Sequence, residues 1–357
     1  MNLSIISFTG NGVELSLRTA EALEENSEIA GTVSLYTKCK HPGAAGQAAY
    51  VDCGIAQWAG AQLREQKALL FIGACGIAVR AVAPYLTDKL HDAPVLVMDE
   101  LGRHIIPLLS GHVGGANALA CGIGAAVGAE PVITTATDLN GRFAADLFAK
   151  RNDLWITDRA GIARVSSKVL AGQKITVSVE PGHERQGSRM PEGLAGIPYP
   201  PAGYADLVVS SEERDFDAGL VLRPREYIIG MGCRRGKSLE ELEAFIKERI
   251  REAGILEEQL SSLASIEQKK HEPGLLAWCQ ARRVPFLTYT ARELWEAEGT
   301  FLGSSFVAET VGVDNVCERA AIKACKGAGS LVCGKYAKDG MTIAIAKRDW
   351  SVTFDET

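Results

Sequence analysis

Long apolar runs are missing from this chain. Nowhere do about 18 apolar residues follow one another, so the sequence holds no candidate membrane-spanning helix. An excess of basic charge is also missing: 38 Lys and Arg stand against 44 Asp and Glu, a net charge of −6. A protein built to grip nucleic acid is normally basic, so that class drops out, while a local basic pocket for a small polyanion stays compatible with the total. The nine cysteines are odd in number, irregularly spaced, and form neither a C-x-x-C pair nor a Cys/His zinc pattern. They read as reduced, mostly buried thiols of a cytoplasmic protein, and no metal site or dissociable cofactor is expected. The opening stretch MNLSIISFTGNG lacks a basic segment and a long apolar core, and so does not read as a signal peptide. No repeat is visible.

What is present is ordinary globular material: 357 residues, 37 of them Gly and 13 Pro, 46% apolar and 23% charged. At about 150 residues per domain this predicts two or three domains. Leu3–Phe8, Ala68–Ile72, Val95–Met98, His104–Leu109 and Pro131–Thr135 have the length and composition of strands. Glycine-containing turns and helices over Val13–Glu24, Gly76–Val82 and Ala116–Val127 alternate with them, which predicts α/β layering around a largely parallel sheet. The texture changes after Asp138. Residues Gly182–Gly203 are rich in Gly and Pro with little periodicity, between short expected strands at Lys174–Val179 and Leu207–Ser210. A second α/β unit starts at Tyr227, with a strand, a basic turn, and a helix over Leu239–Ala253 whose start is marked by the Ser238/Glu241 capping-box spacing. Asp339-Gly340 predicts a hairpin near the end. The expected architecture is α/β: two αβ-layered domains with mostly parallel sheets, 1–137 and 225–357, joined by a small irregular middle module, 138–224.

Three segments are candidates for chemistry. In FIGACGIAVRAVAPYL, Gly73 and Gly76 let backbone N–H groups approach an anion at a helix start, with Arg80 one turn on; a close helix–sheet contact would need the same small residues. DELGRHIIPLLSGHVGGAN gathers His104, Ser110, His112 and Asn117 around a glycine-rich turn. Either histidine could move protons near neutral pH, and the Gly114 and Gly115 N–H groups could face an oxyanion, although a lone histidine is more often structural. Ser110 lacks the G-x-S-x-G frame of an acyl-enzyme serine. GMGCRRGKS is neither a Walker A loop nor a dinucleotide fingerprint, because its glycine spacings miss both. That counts against a nucleotide-dependent enzyme. A strand-to-helix turn bearing Arg234, Arg235 and Lys237 remains, suited to carboxylates or phosphates, with a solvated basic turn as the plain alternative. Glu267, Lys269 and Glu272 read as surface charges, and Cys317 and Cys325 as core.

FIGACGIAVRAVAPYLTDK, VLVMDELGRHIIPLLSGHVGGANALA and PVITTATD, in that order, resemble the N-terminal region of cobalt-precorrin-5A hydrolases of anaerobic cobalamin (vitamin B12) biosynthesis. IIGMGCRRGKSLEEL, SIEQKKHEPGLLAWC, FVAETVGVDNVCERAAI and LVCGKYAKDGMTIAIA resemble the C-terminal domain of that family, which also occurs as a small separate protein. One local departure is Asp92-Ala93-Pro94, where the family pattern leads one to expect Asp-Pro soon after Lys89. The resemblance implies a hydrolase acting on a cobalt-bound, ring-contracted tetrapyrrole. Water opens the lactone formed by the ring A acetate, and a two-carbon fragment leaves as acetaldehyde. The cobalt belongs to the substrate, where it could help as a Lewis acid. The resemblance also leaves room for transient contact with other pathway enzymes, and for a non-catalytic corrinoid carrier as the rival reading. On this basis Gly73, Gly76, Arg80, Gly114, Gly115, Asn117, Arg234, Arg235, Lys237, Ser238 and Lys335 are expected to hold the polycarboxylate substrate. His112 is the expected base, with His104 and Ser110 assisting, and the two α/β domains are expected to face each other across the macrocycle.

Overall fold

The computed structural model describes residues 1–26, 29–40, 47–87, 92–111, 114–135, 142–303 and 305–355. Two compact units, Met1–Leu147 and Phe148–Thr357, divide the chain. The first is built on seven strands: β1 (Leu3–Ser7), β2 (Val33–Thr37), β3 (Ala49–Tyr50), β4 (Ala68–Ile72), β5 (Val95–Met98), β6 (His104–Leu109) and β7 (Glu130–Pro131). Their order is β3-β2-β1-β4-β5-β6-β7. All neighbours run parallel except β5 and β6. Every residue of β1, β4 and β5 is buried, because helices cover both faces. Leu15, Leu23, Leu119 and Ile123 pack on one side, and Trp58, Ala78 and Val82 on the other. That explains why these strands read as continuous apolar runs rather than alternating ones. The strand expected over Pro131–Thr135 shrinks to the two-residue edge strand β7.

The stretch expected to be irregular instead holds a second sheet: β8 (Leu154–Ile156), β9 (Ile175–Val179), β10 (Leu194–Gly196), β11 (Ala205–Val209) and β12 (Ala218–Pro224), ordered β10-β9-β11-β12-β8. Only β8 runs antiparallel to its neighbour. The two expected strands are there. Of the others, β12 is seven residues long and β8 and β10 three each, and β10 lies inside the Gly/Pro-rich segment, where backbone pairing to β9 gives it strand structure without an apolar period.

The third sheet comprises β13 (Tyr227–Cys233), β14 (Leu260–Ile266), β15 (Phe286–Tyr289), β16 (Gly329–Lys338) and β17 (Met341–Arg348), ordered β15-β14-β13-β17-β16. The last two strands are antiparallel. They are joined by Asp339 and Gly340, whose φ values of +50° and +75° suit the two-residue turn that matches strand twist. Ser238 accepts the Glu241 N–H at 3.2 Å while its own N–H donates to the Glu241 carboxylate at 3.0 Å, which closes the predicted capping box on the helix Leu239–Glu252. The border expected after residue 137 lies outside the described residues. The one expected at 224/225 falls between two sheets of one compact unit. No helix among the described residues is long and apolar enough to cross a membrane.

Candidate active site

In the first sheet the connections out of β1 and β4 lead in opposite directions, so their C-terminal ends form the crevice where ligands of open α/β sheets ordinarily bind. Two glycine turns meet there. One is Thr9–Gly12, where Thr9 caps the helix Gly10–Glu24 by accepting the Gly12 N–H. The other is Gly73–Gly76, opening the helix Cys75–Val82. Thr9 donates to the Glu100 carboxylate at 2.7 Å. Gly73 has φ +159°, and a Cβ there would lie 3.0 Å from the Phe8 ring. The Arg80 guanidinium folds back over Gly76, where a Cβ would stand 3.3 Å from Nη1. No partner for this cation is found among the described residues.

His104 lies on the same edge, at the start of β6. Ser110 follows the end of that strand and so reaches the opposite edge, about 20 Å away at the rise of an extended chain. The expected grouping of His104 with Ser110 is therefore undone: five intervening extended residues separate what sequence spacing seemed to join. The exposed His104 ring stands 3.6 Å from Asp99 and 3.8 Å from Glu130. Burial raises the Asp99 pKa, but N–H groups of His104, Leu101 and Arg103 outweigh it and hold the carboxyl below its ordinary value. His104 belongs to that local turn.

Ser110, Gly111, Gly114 and Asn117 lie close together. Ser110 adopts φ +58° and donates its hydroxyl to the Asp92 carbonyl at 2.6 Å. A Cβ at Gly114 would lie 2.2 Å from Ser110 Cβ, so no other residue fits there without a shift. Gly115 at φ +90° turns the chain into the helix Ala116–Val127. The Asn117 amide donates to Thr135 at 3.0 Å. Asp92 accepts the Thr87 N–H and hydroxyl, both at 3.0 Å. His112, the expected base, lies outside the described residues.

In the third sheet, Arg234, Arg235 and Lys335 come together. They line a 720 Å³ cavity with Lys269, Lys338, Cys233, Cys317 and the Asp339–Gly340 turn. No hydrogen bond or ion pair of the Arg234, Arg235 or Lys335 side-chain cations is found among the described residues, though Arg235 acts electrostatically on Glu272, whereas Lys338 binds Glu248 at 2.8 Å. Lys237 and Ser238 are not in the lining. Lys237 pairs with Glu241 at 2.7 Å and Ser238 caps the helix, so the structure spends both on the helix start. Lys269 and Glu272 depart from their reading as surface charges. Glu272 is buried, bonds Lys269 at 2.8 Å, and accepts the Gly236 N–H at 2.6 Å, bracing the basic turn. Burial raises its pKa, but these donors prevail and hold it low. The available signal was Pro273, which marks Glu272 as the N-cap of a helix. Burial pushes the Cys233 thiol up and takes that of Cys317 to about 11, so neither offers a thiolate near neutral pH. Cys317 and Cys325 are core, as read. Among the described residues no three His, Cys, Asp or Glu side chains converge as a metal-ligand set.

Layered α/β units, a cavity lined by cations, and glycine turns without a nucleotide fingerprint characterise an α/β protein with a cationic cavity. Residues 57–138 match the family model described as Cobalamin synthesis G N-terminal, and residues 227–346 the one described as Cobalamin synthesis G C-terminus. The chain is 36% identical over 306 residues to the cobalt-precorrin-5A hydrolase of Salmonella typhimurium strain LT2, covering 82% of this chain and 86% of that protein. It is 34% identical over 300 residues to the cobalt-precorrin-5A hydrolase of Priestia megaterium, covering 78% of each. It is also similar to Protein CobE of a Sinorhizobium species, at 32% identity over 139 residues, 38% of this chain and 85% of that protein. This chain belongs to the cobalt-precorrin-5A hydrolase family. Both glycine turns expected in the first unit and all the cationic residues expected in the third sheet fall inside the matched spans.

Proposed function

We propose that this chain hydrolyses the lactone of cobalt-precorrin-5A in anaerobic cobalamin biosynthesis, giving cobalt-precorrin-5B and acetaldehyde. The observation that carries this is 36% identity across 82% of the chain to a cobalt-precorrin-5A hydrolase. The lining of the third-sheet cavity supports it: three cations outside any ion pair among the described residues offer charge-assisted bonds to a ligand edged with carboxylates. Arg80 and the N–H groups of the Gly73–Gly76 turn offer an anion contact of their own in the first unit, on the sheet edge opposite to Ser110.

Lactone opening needs a base for water and donors for the oxyanion that forms at the acyl carbon. We assign the base to His112 and the donors to the Gly114 and Gly115 N–H groups, with Ser110 and Asn117 holding the turn's shape. Ser110 already donates its proton to a backbone carbonyl, which favours a structural place over a nucleophilic one. Cobalt arrives inside the substrate. The test is to incubate purified protein with cobalt-precorrin-5A and follow acetaldehyde. Turnover by the natural chain, lost in a folded His112→Ala variant, is expected. Tight binding without turnover would favour a corrinoid carrier, and a wild-type rate for the variant would remove His112 as base.

A further inference from the structure

Glu318 opens the helix Cys317–Ala324 and is 2% exposed. One carboxylate oxygen accepts the Leu302 N–H at 2.9 Å and the Asn315 amide at 2.5 Å. The other accepts the Lys335 N–H at 2.7 Å. Asn315 in turn accepts the Glu318 N–H at 2.9 Å. No cation pairs with this buried carboxylate among the described residues, so neutral N–H groups alone compensate for its desolvation. Such an arrangement is costly to keep unless it organises something.

What it organises is the wall of the cavity. Between Cys333 and Tyr336, β16 advances three residues while its partner β17 advances two, from Ile345 to Ile343. That one-residue bulge contains Gly334 and Lys335. A bulge frees a backbone group from the ladder and re-aims a side chain. Here the Lys335 N–H goes to Glu318, and Lys335 lines the cavity. Gly334 leaves room for the contact: a Cβ at that position would stand 3.3 Å from the accepting Glu318 oxygen.

We propose that Glu318 is a positioning residue: by anchoring the β16 bulge to the helix Cys317–Ala324, it presents Lys335 to a substrate carboxylate. This rests on the reading of the cavity as a substrate site. The experiment is a double-mutant cycle of Glu318→Gln and Lys335→Ala in the full chain, with kcat and KM taken from acetaldehyde release on cobalt-precorrin-5A. The inference predicts that Glu318→Gln alone raises KM about tenfold with kcat held within about twofold. On the Lys335→Ala background it adds less than about twofold, because the presented group is already gone. An unchanged KM for Glu318→Gln, or effects that multiply across the two backgrounds, would overturn the inference while leaving the cavity reading intact. An unchanged KM for Lys335→Ala would overturn the cavity reading and the inference together. Should Glu318→Gln fail to fold, Gly334→Ala presses on the same contact from the strand side and is held to the same comparison.

Discussion

Removing the two arginines of the basic turn tests how the cavity uses its charge. Arg234 and Arg235 line it from the loop after β13, and neither forms an ion pair among the described residues, although the Arg235 charge helps hold the Glu272 carboxyl low. Each guanidinium is exposed, so its bond to a substrate carboxylate is screened by water. About 1.4 kcal/mol apiece is a reasonable value for a charge-assisted bond in that setting, or about tenfold in affinity. Arg234→Ala and Arg235→Ala are each expected to raise KM about tenfold, and the pair up to about a hundredfold if the two act independently. The carboxylates they hold do not react, so they are bound alike in ground state and transition state, and kcat should stay within about twofold. Steady-state acetaldehyde release at several salt concentrations reads all of this. KM of the natural chain should climb with ionic strength, and the double variant should respond less. A fall in kcat at constant KM would refute the reasoning, as would a double variant with the natural KM and salt response.

Two further outcomes follow from burial. Glu226 is 3% exposed, and one of its carboxylate oxygens has no hydrogen-bond partner among the described residues. Burial pushes its pKa above the ordinary 4.5, only partly offset by Lys347 at 3.2 Å, with Glu180 pushing it up and His183 pulling it down. The ionised form therefore opposes folding: its penalty is absent below pH 4.5, grows as pH rises through the folded value, and is complete above it. Glu226→Gln should raise the melting temperature at pH 7.5 by about 2–4 °C, equivalent to about 1 kcal/mol, and the gain should vanish near pH 4.5; destabilisation at pH 7.5 would contradict this. All nine cysteines are free, and burial lifts Cys279 to about 12 and Cys317 and Cys325 to about 11. Alkylation of the folded protein followed by peptide mass spectrometry should label the exposed Cys121 and spare these three, and early labelling of Cys317 would contradict the burial argument.

The parts legible in the sequence were those whose signal is local. The apolar runs of β1, β4 and β5 announce strands buried on both faces, Ser238 and Glu241 announce a helix start, and Asp339-Gly340 a two-residue turn. The second sheet was legible only at β9 and β11; β8 and β10 are three residues each and are strands only through their neighbours, and the seven-residue β12 was missed. The largest error concerned the site. His104 and Ser110 are close in number, but β6 is extended and antiparallel to β5, so they end on opposite edges of the sheet. Spacing along a strand measures separation, whereas the same spacing on a helix would have brought the two side chains near. Arg234, Arg235 and Lys335 illustrate the reverse case: a hundred residues apart in number, they share one cavity because β13 and β16 both pack on either side of β17. Glu318 carried no sequence signal of its role, since its work depends on a bulge that only strand pairing reveals.

The central claim is that this chain directs water to the acyl carbon of a corrinoid lactone. The measurement that reaches it most directly is turnover of cobalt-precorrin-5A in ¹⁸O-enriched water, with mass spectrometry of the tetrapyrrole product. Hydrolysis as argued places one labelled oxygen in the freed ring A acetate for each acetaldehyde released. A product that forms with acetaldehyde but carries no label, or a protein that binds the substrate and leaves it whole, would contradict the account.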